Sequence, residues 1–265
     1  MTVFDKGIVL EPAGDGQLRG RTVPEWANMV GPFGGITAAT LLRAVELQPD
    51  VHGQPVALTV NYLAPIVDGD YEIRARAVRT NRSNQHWIVE LSQRGDLKTT
   101  ATAVFGIRRD TWGDTELTRP AVPAAGQVPA GPDNGPTWMS NYDMRYVAGA
   151  IPRPEDGGSD SSETSLWVRD TPARPLDFAA LTAICDIFYP RVFLRLGRLI
   201  PAGTVSITVY FHADSASLAV QGDDFVLATA RAQRYSSGHF DHSAHIWGTS
   251  GTLLATSHQI VYFKG

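Results

Sequence analysis

The sequence predicts an α+β chain made of two tandem copies of one unit. Each unit is a long central helix wrapped by a curved antiparallel sheet, and the two sheets join into one. Three observations predict this. The order helix, then four strands, occurs twice. The first long strand of each copy alternates apolar and polar residues in the same register. The helical stretch of the second copy is apolar on nearly every side, as an enclosed helix should be.

In the first copy, strand candidates KGIVLE (6–11) and GQLRGRTV (16–23) precede the helix-like GGITAATLLRAVE (34–46). Strands PVALTVNYLAP (55–65), YEIRARAVRT (71–80), HWIVELSQ (86–93) and LKTTATAVFGI (97–107) follow. In the second, YDMRYVA (142–148) and SLWVRDT (165–171) precede a helix from Asp177 toward Pro190. Asp177 is a natural N-cap and Pro190 a natural stop. Strands TVSITVYFHAD (204–214), FVLATARAQRY (225–235), FDHSAHIWG (240–248) and TLLATSHQIVYF (252–263) follow. Val56, Leu58, Val60 and Tyr62 match Val205, Ile207, Val209 and Phe211, each 149 positions later (205 against 56). This period of two marks strands with one buried face. Tyr71 and Phe225 open the next strand of each copy, and RGD (94–96) and TSG (249–251) are hairpin turns. The division expected is 1–110 for the first unit, a Pro/Gly/Ala-rich surface linker at 111–140, and 141–265 for the second. The polar loop 152–164 is expected to be mobile.

Composition narrows the function. At 43% hydrophobic and 19% charged residues, the chain is globular rather than disordered. A formal net charge of −4 offers no basic footprint for nucleic acid. Cys185 is the only cysteine, so no intrachain disulfide forms and a reducing cytoplasm is expected. Neither a signal-peptide core nor a membrane span is expected. His239, His242 and His245 have no companion cysteines, and His242 and His245 fall on opposite strand faces, so no metal site is expected. There is no Gly-x-Ser-x-Gly elbow and no dinucleotide-binding glycine motif, and no cofactor is expected.

One residue stands out against its surroundings. From Phe178 to Pro190 the run FAALTAICDIFYP holds a single acid, Asp186. A carboxylate there is costly unless a partner or a reaction requires it. A structural reading pairs it with Arg191 or Arg195. Cys185, its neighbour, would point about 100° away on a helix.

These motifs resemble a known family. The layout, with GPFGG (31–35) opening the first helix, resembles the hotdog fold, and two fused copies resemble the double-hotdog acyl-CoA thioesterases of the bacterial thioesterase II type. SLWVRD (165–170) resembles the strand leading into that family's catalytic helix, AICDIFYP (183–190) the segment carrying its aspartate, and LLATSHQIVYF (253–263) the strand carrying its glutamine. A family threonine ahead of an aromatic-Phe-His triplet falls on Thr204, before Tyr210-Phe211-His212. The resemblance implies hydrolysis of acyl-CoA to acid and CoA without a cofactor, with Asp186, Gln259 and Thr204 as site residues.

In that chemistry Asp186 serves as general base for water, with Gln259 and Thr204 positioning the same water. Gln259 shares a strand face with Leu253, Ala255, Val261 and Phe263, so its amide needs buried partners. Gly34 and Gly35, at a helix start, are candidates to meet the thioester oxygen through backbone N–H groups. The site expected is composite, at the seam between the copies, with one per chain. By the Ile-Thr-Ala register Leu41 stands in place of Asp186, and by the last-strand register Ala103 stands in place of Gln259. Arg79 and Arg82, or Arg231 and Arg234, are candidates for the CoA phosphates. Trp26, Phe33 and Trp87 are candidates to close the acyl tunnel. A homo-oligomer (dimer or tetramer) is expected from exposed sheet edges. Two alternatives stay open: a hotdog enoyl-CoA hydratase or dehydratase, disfavoured because no Asp/His pair stands at a helix start, and a non-catalytic acyl-CoA or lipid-binding protein.

Overall fold

The computed structural model describes residues 1–14, 16–131 and 135–265, so positions 132–134 of the expected linker lie outside the described residues. The chain opens on helix α1 (Val3–Gly7). Thr2 and Asp5 cap it reciprocally, each side chain accepting from the other's backbone N–H. This capping box draws Lys6 and Gly7 into a helix, so the strand expected at 6–11 does not form. Strand β1 begins only at Glu11 and runs to Gly14, followed by β2 (Gln17–Arg21). Helix α2 spans Gly34–Glu46, then come β3 (Gln54–Tyr62), β4 (Asp70–Thr80), β5 (Asn84–Gln93) and β6 (Asp96–Gly106). Arg94 and Gly95 both take positive φ, 57° and 78°, as a two-residue hairpin turn requires.

The second half repeats this order. β7 (Tyr142–Ala148) and β8 (Thr164–Asp170) precede α3 (Phe178–Ile184), whose N-cap Asp177 accepts from Ala180 N–H at 2.8 Å. Every residue of α3 is buried. The long helix expected here is broken. α3 ends at Ile184, Asp186 lies on the turn beyond it, and a separate helix α4 covers Arg191–Leu196. Side chains from the last strand explain the break: Ser257 Oγ and Gln259 Nε2 both donate to the Cys185 carbonyl, at 3.4 and 3.5 Å. They satisfy a helix-terminal carbonyl that would otherwise need another turn. Then follow β9 (Ala202–Phe211), α5 (Ser215–Gln221), β10 (Val226–Arg231), β11 (Tyr235–Ser236), β12 (His239–Trp247) and β13 (Leu253–Phe263).

Thirteen strands among the described residues form one sheet, ordered β1-β2-β4-β5-β6-β3-β9-β13-β12-β10-β8-β7, with β11 beside β12. The order reads as one half followed by its mirror image, and β3 and β9 are the seam. The antiparallel seam centres on Thr59 opposite Thr208, whose hydroxyls are 3.0 Å apart. These residues are 149 positions apart, the repeat spacing, so a local two-fold axis passes between them. Leu58, Val60, Ile207 and Val209 bury their side chains on the concave face, against α2 and α3. The fold is a double hotdog.

Both seam strands carry a bulge. In β9 it lies where Ile260 pairs with Ser206 and Val261 with Thr204, leaving Val205 unmatched. Val205 is 39% exposed, although strict alternation predicts it buried. β3 has the same irregularity between Pro55 and Ala57, around Val56, the repeat position of Val205.

The connecting segment does more than cross the surface. Val122, Ala125 and Val128 pack on Trp167, Phe225, Leu227 and Trp247 outside the second half. The segment then returns Trp138 to the start of α2, where its ring stacks on Phe33 at 4.1 Å. The loop 152–164 is tied to α4 by Ser159 N–H on the Leu194 carbonyl, and its Ser162 is buried. No helix among the described residues is long and apolar enough to cross a membrane.

Candidate active site

Three elements of the second half and one of the first converge at one end of the seam. Asp186 sits on the turn after α3, Gln259 on the concave face of β13, and Thr204 on β9. Gln259 Nε2 donates to Asp186 Oδ1 at 2.9 Å, and Thr204 Oγ1 donates to Gln259 Oε1 at 3.1 Å. The hydroxyl therefore fixes the amide so that its N–H₂ faces the carboxylate. The bulge makes this contact possible. Without the extra Val205, Thr204 would fall on the outer face with Ser206 and Thr208; the bulge turns it inward.

Gly34 and Gly35, the first residues of α2, close the site from the other half. The Gly35 N–H lies close enough to the Asp186 carboxylate to favour its charged form. A Cβ on Gly34 would stand 2.6 Å from Asp186 Oδ2, so only glycine lets the backbone approach this closely. The carboxylate thus faces the positive end of a 13-residue helix. The N–H expected to serve the thioester oxygen lies beside Asp186.

Asp186 is mostly enclosed but keeps partial solvent access, as do Thr204 and Gly34, while Gln259 is buried. Burial pushes the Asp186 carboxyl up to about 7, against the opposing pull of the Gln259 hydrogen bond and the nearby Gly35 N–H. Burial and the nearby Asp186 charge raise the Cys185 thiol, so it stays neutral and is no nucleophile. Arg191 is fully buried but gives its N–H groups to the Tyr189 and Ser162 carbonyls and the Thr164 hydroxyl. Neither Arg191 nor Arg195 forms an ion pair with Asp186, and the structural pairing does not occur.

His242 stands directly across β12 and β13 from Gln259, buried, its ring 5.4 Å from that of Phe188. Burial lowers its pKa well below the usual value, so it is neutral. His258 faces the other way and bonds Ser243. Among the described residues no three His, Cys, Asp or Glu side chains cluster as a metal site.

The opposite end of the seam has the same backbone without the chemistry. Ala103 pairs with Leu58 as Gln259 pairs with Ile207, and Leu58 and Ile207 are repeat partners. Pro55 takes the place of Thr204. Trp87, opposite Ala103, takes the place of His242. Trp87 therefore fills the first-half counterpart of the site, at the far end of the seam from Asp186. Phe33 and Trp26 instead pack in a buried aromatic cluster at the start of α2 with Trp138 and Tyr142, which sequence reading missed. No local signal could have found the latter two, because they come from the connecting segment and β7.

Comparison with known proteins agrees with this architecture. The family model described as the acyl-CoA thioesterase N-terminal domain matches residues 23–106, and that of the acyl-CoA thioesterase C-terminal domain matches 118–263. No curated protein matches the chain. A conserved protein of unknown function with a hot dog fold from Alicyclobacillus acidocaldarius is 45% identical, over 100% of this chain and 99% of that one, with a TM-score of 0.96. A putative thioesterase II from Thermobifida fusca is 21% identical over 100% and 98% of the two chains, with a TM-score of 0.87. An acyl-CoA thioesterase II from Mycobacterium marinum is 17% identical over 99% and 98%, with a TM-score of 0.77. At these last two identities the likeness is one of fold.

Proposed function

Because the chain belongs to the acyl-CoA thioesterase family, we propose that it hydrolyses acyl-CoA thioesters to the free acid and CoA, with Asp186, Gln259 and Thr204 activating one water. The observation that carries this reading is the half-enclosed Asp186 carboxylate, held by Gln259 at 2.9 Å against a helix start.

In the reaction Asp186 takes a proton from water as the oxygen attacks the thioester carbon. The thioester oxygen takes over the Gly35 N–H as it becomes negative. The tetrahedral adduct collapses, the C–S bond breaks, and the sulfur leaves with the proton Asp186 had taken. A base near pKa 7 is matched to neutral pH, since it is both sufficiently ionised and sufficiently basic.

Register also sorts the arginines. Arg79 and Arg82 lie beside the Gln54 end of β3, while Tyr62 ends β3 at the site, about 26 Å away at roughly 3.3 Å per residue. Arg231 pairs with Ser243, one step from His242, so Arg231 and Arg234 belong to the site's end of the sheet. They are the better candidates for CoA phosphates. The same reading places the enzyme in the cytoplasm as a homo-oligomer, with β1 and β7 as the free sheet edges.

The test is thiol release from a panel of acyl-CoAs. The wild type should release CoA, Asp186→Asn should lose about 10²-fold or more in kcat, and Gln259→Ala about 10-fold or more, with unchanged circular dichroism. Tight binding without release would support a non-catalytic binding protein, and loss of enoyl absorbance a hydratase. Full activity of Asp186→Asn would refute the assignment.

A further inference from the structure

Tyr62 is the last residue of β3, on the first half's side of the seam. Its hydroxyl donates to the Gly34 carbonyl at 2.8 Å. A Cβ on Gly34 would lie 3.3 Å from this hydroxyl and 2.6 Å from Asp186 Oδ2. Phenol, glycine and carboxylate therefore meet at one point, next to the Gly35 N–H.

The other end of the seam serves as a built-in control. The repeat partner of Tyr62 is Phe211, which packs edge-on against Phe178, the first residue of α3, at 5.7 Å and 88°. A phenyl ring thus does the packing at that helix start without a hydroxyl. At that same end Leu41, Ala103 and Pro55 replace Asp186, Gln259 and Thr204. The hydroxyl appears only where the carboxylate does, so packing alone does not explain it.

We propose that Tyr62 is a positioning residue: its hydroxyl pins the Gly34–Gly35 start of α2 against Asp186 and so sets the N–H that the thioester oxygen takes up. This rests on the hydrolase reading above. The titratable groups around Asp186 are Tyr62 from β3, Tyr142 from β7 and Cys185 from its own turn, and all three are raised and neutral. Tyr62 therefore donates throughout the working pH range.

The test is Tyr62→Phe in the full chain, which installs the side chain already present at position 211. Two readouts are taken: thiol-release kinetics, and the Asp186 titration followed by carboxyl-¹³C NMR and assigned with Asp186→Asn. We expect kcat to fall about tenfold with KM nearly unchanged. Loss of the pin lets the Gly35 N–H move away from the carboxylate, whose charged form it favours, so the Asp186 titration and the acidic limb of activity should both move up by about half a unit. An unmoved titration overturns the proposal, whether kcat and KM are unchanged or KM alone rises. If the wild type hydrolyses no acyl-CoA, the hydrolase reading fails on its own, and the titration still decides the role of Tyr62. Tyr62→Leu gives the same readouts should the Phe variant not fold.

Discussion

Asp186 is held in conflict with its own charge, and the conflict has a sign. Its folded pKa, about 7, lies above the ordinary carboxyl value of 3.8, so the folded state favours the protonated form between about pH 4 and pH 7. Stability falls as pH rises through that window, and the loss is complete above pH 7. Activity runs the other way, because the base must be ionised; kcat/KM should decline below about pH 7. Asp186→Asn should therefore be more stable than wild type at pH 8, with the difference vanishing near pH 4, as thermal melts would show. A unit of pKa is about 1.4 kcal/mol, which bounds the gain at about 4 kcal/mol; partial solvent access reduces it to roughly 1–2 kcal/mol. Asp170, also raised to about 7 by burial, adds the same trend to both proteins and cancels in the comparison. The identity of this residue was legible because one acid in an apolar run needs a reason. That the Gly35 N–H would face this carboxylate was not, because Gly35 is about 150 positions away in sequence.

Among the elements, the site depends on two interruptions. α3 stops where α2, its counterpart, continues to Glu46, and that early stop frees Asp186 from a helix interior. The bulge at Val205 turns Thr204 inward. Neither shows in a pattern of apolar residues, since both are decided by what β13 offers across the gap. The close approach of α2 and α3 is a third requirement. A Cβ on Gly35 would meet the Ala183 carbonyl at 2.7 Å and the Phe33 ring at 2.5 Å. Gly35→Ala should thus cost about 1–3 kcal/mol by overpacking. It should also reduce activity more than that loss of folded protein explains, which melts and kinetics on the same sample would reveal.

For the whole molecule, the two halves share one sheet and one core. The seam pairs β3 with β9, α2 packs on α3, and the largest apolar cluster draws on both halves. Separated at about residue 115, each half would expose a long seam strand and the face of its helix. We expect fragments 1–115 and 116–265 to be insoluble or poorly folded alone, and to recover soluble, active complex when co-expressed. Independent folding of either piece, seen by circular dichroism, would count against this view. The cut must precede Val122, because the segment from there onward covers the outer face of the second half.

The sequence by itself determined the doubling, the strand registers, the enclosed helix and the lone acid, because each is a local pattern of apolar and polar residues repeated at a fixed spacing. Tertiary structure alone decided the arrangement in which the site residues meet. That arrangement came from contacts between residues far apart along the chain: a glycine beside a carboxylate, a phenol on a carbonyl, and a bulge that redirects one hydroxyl.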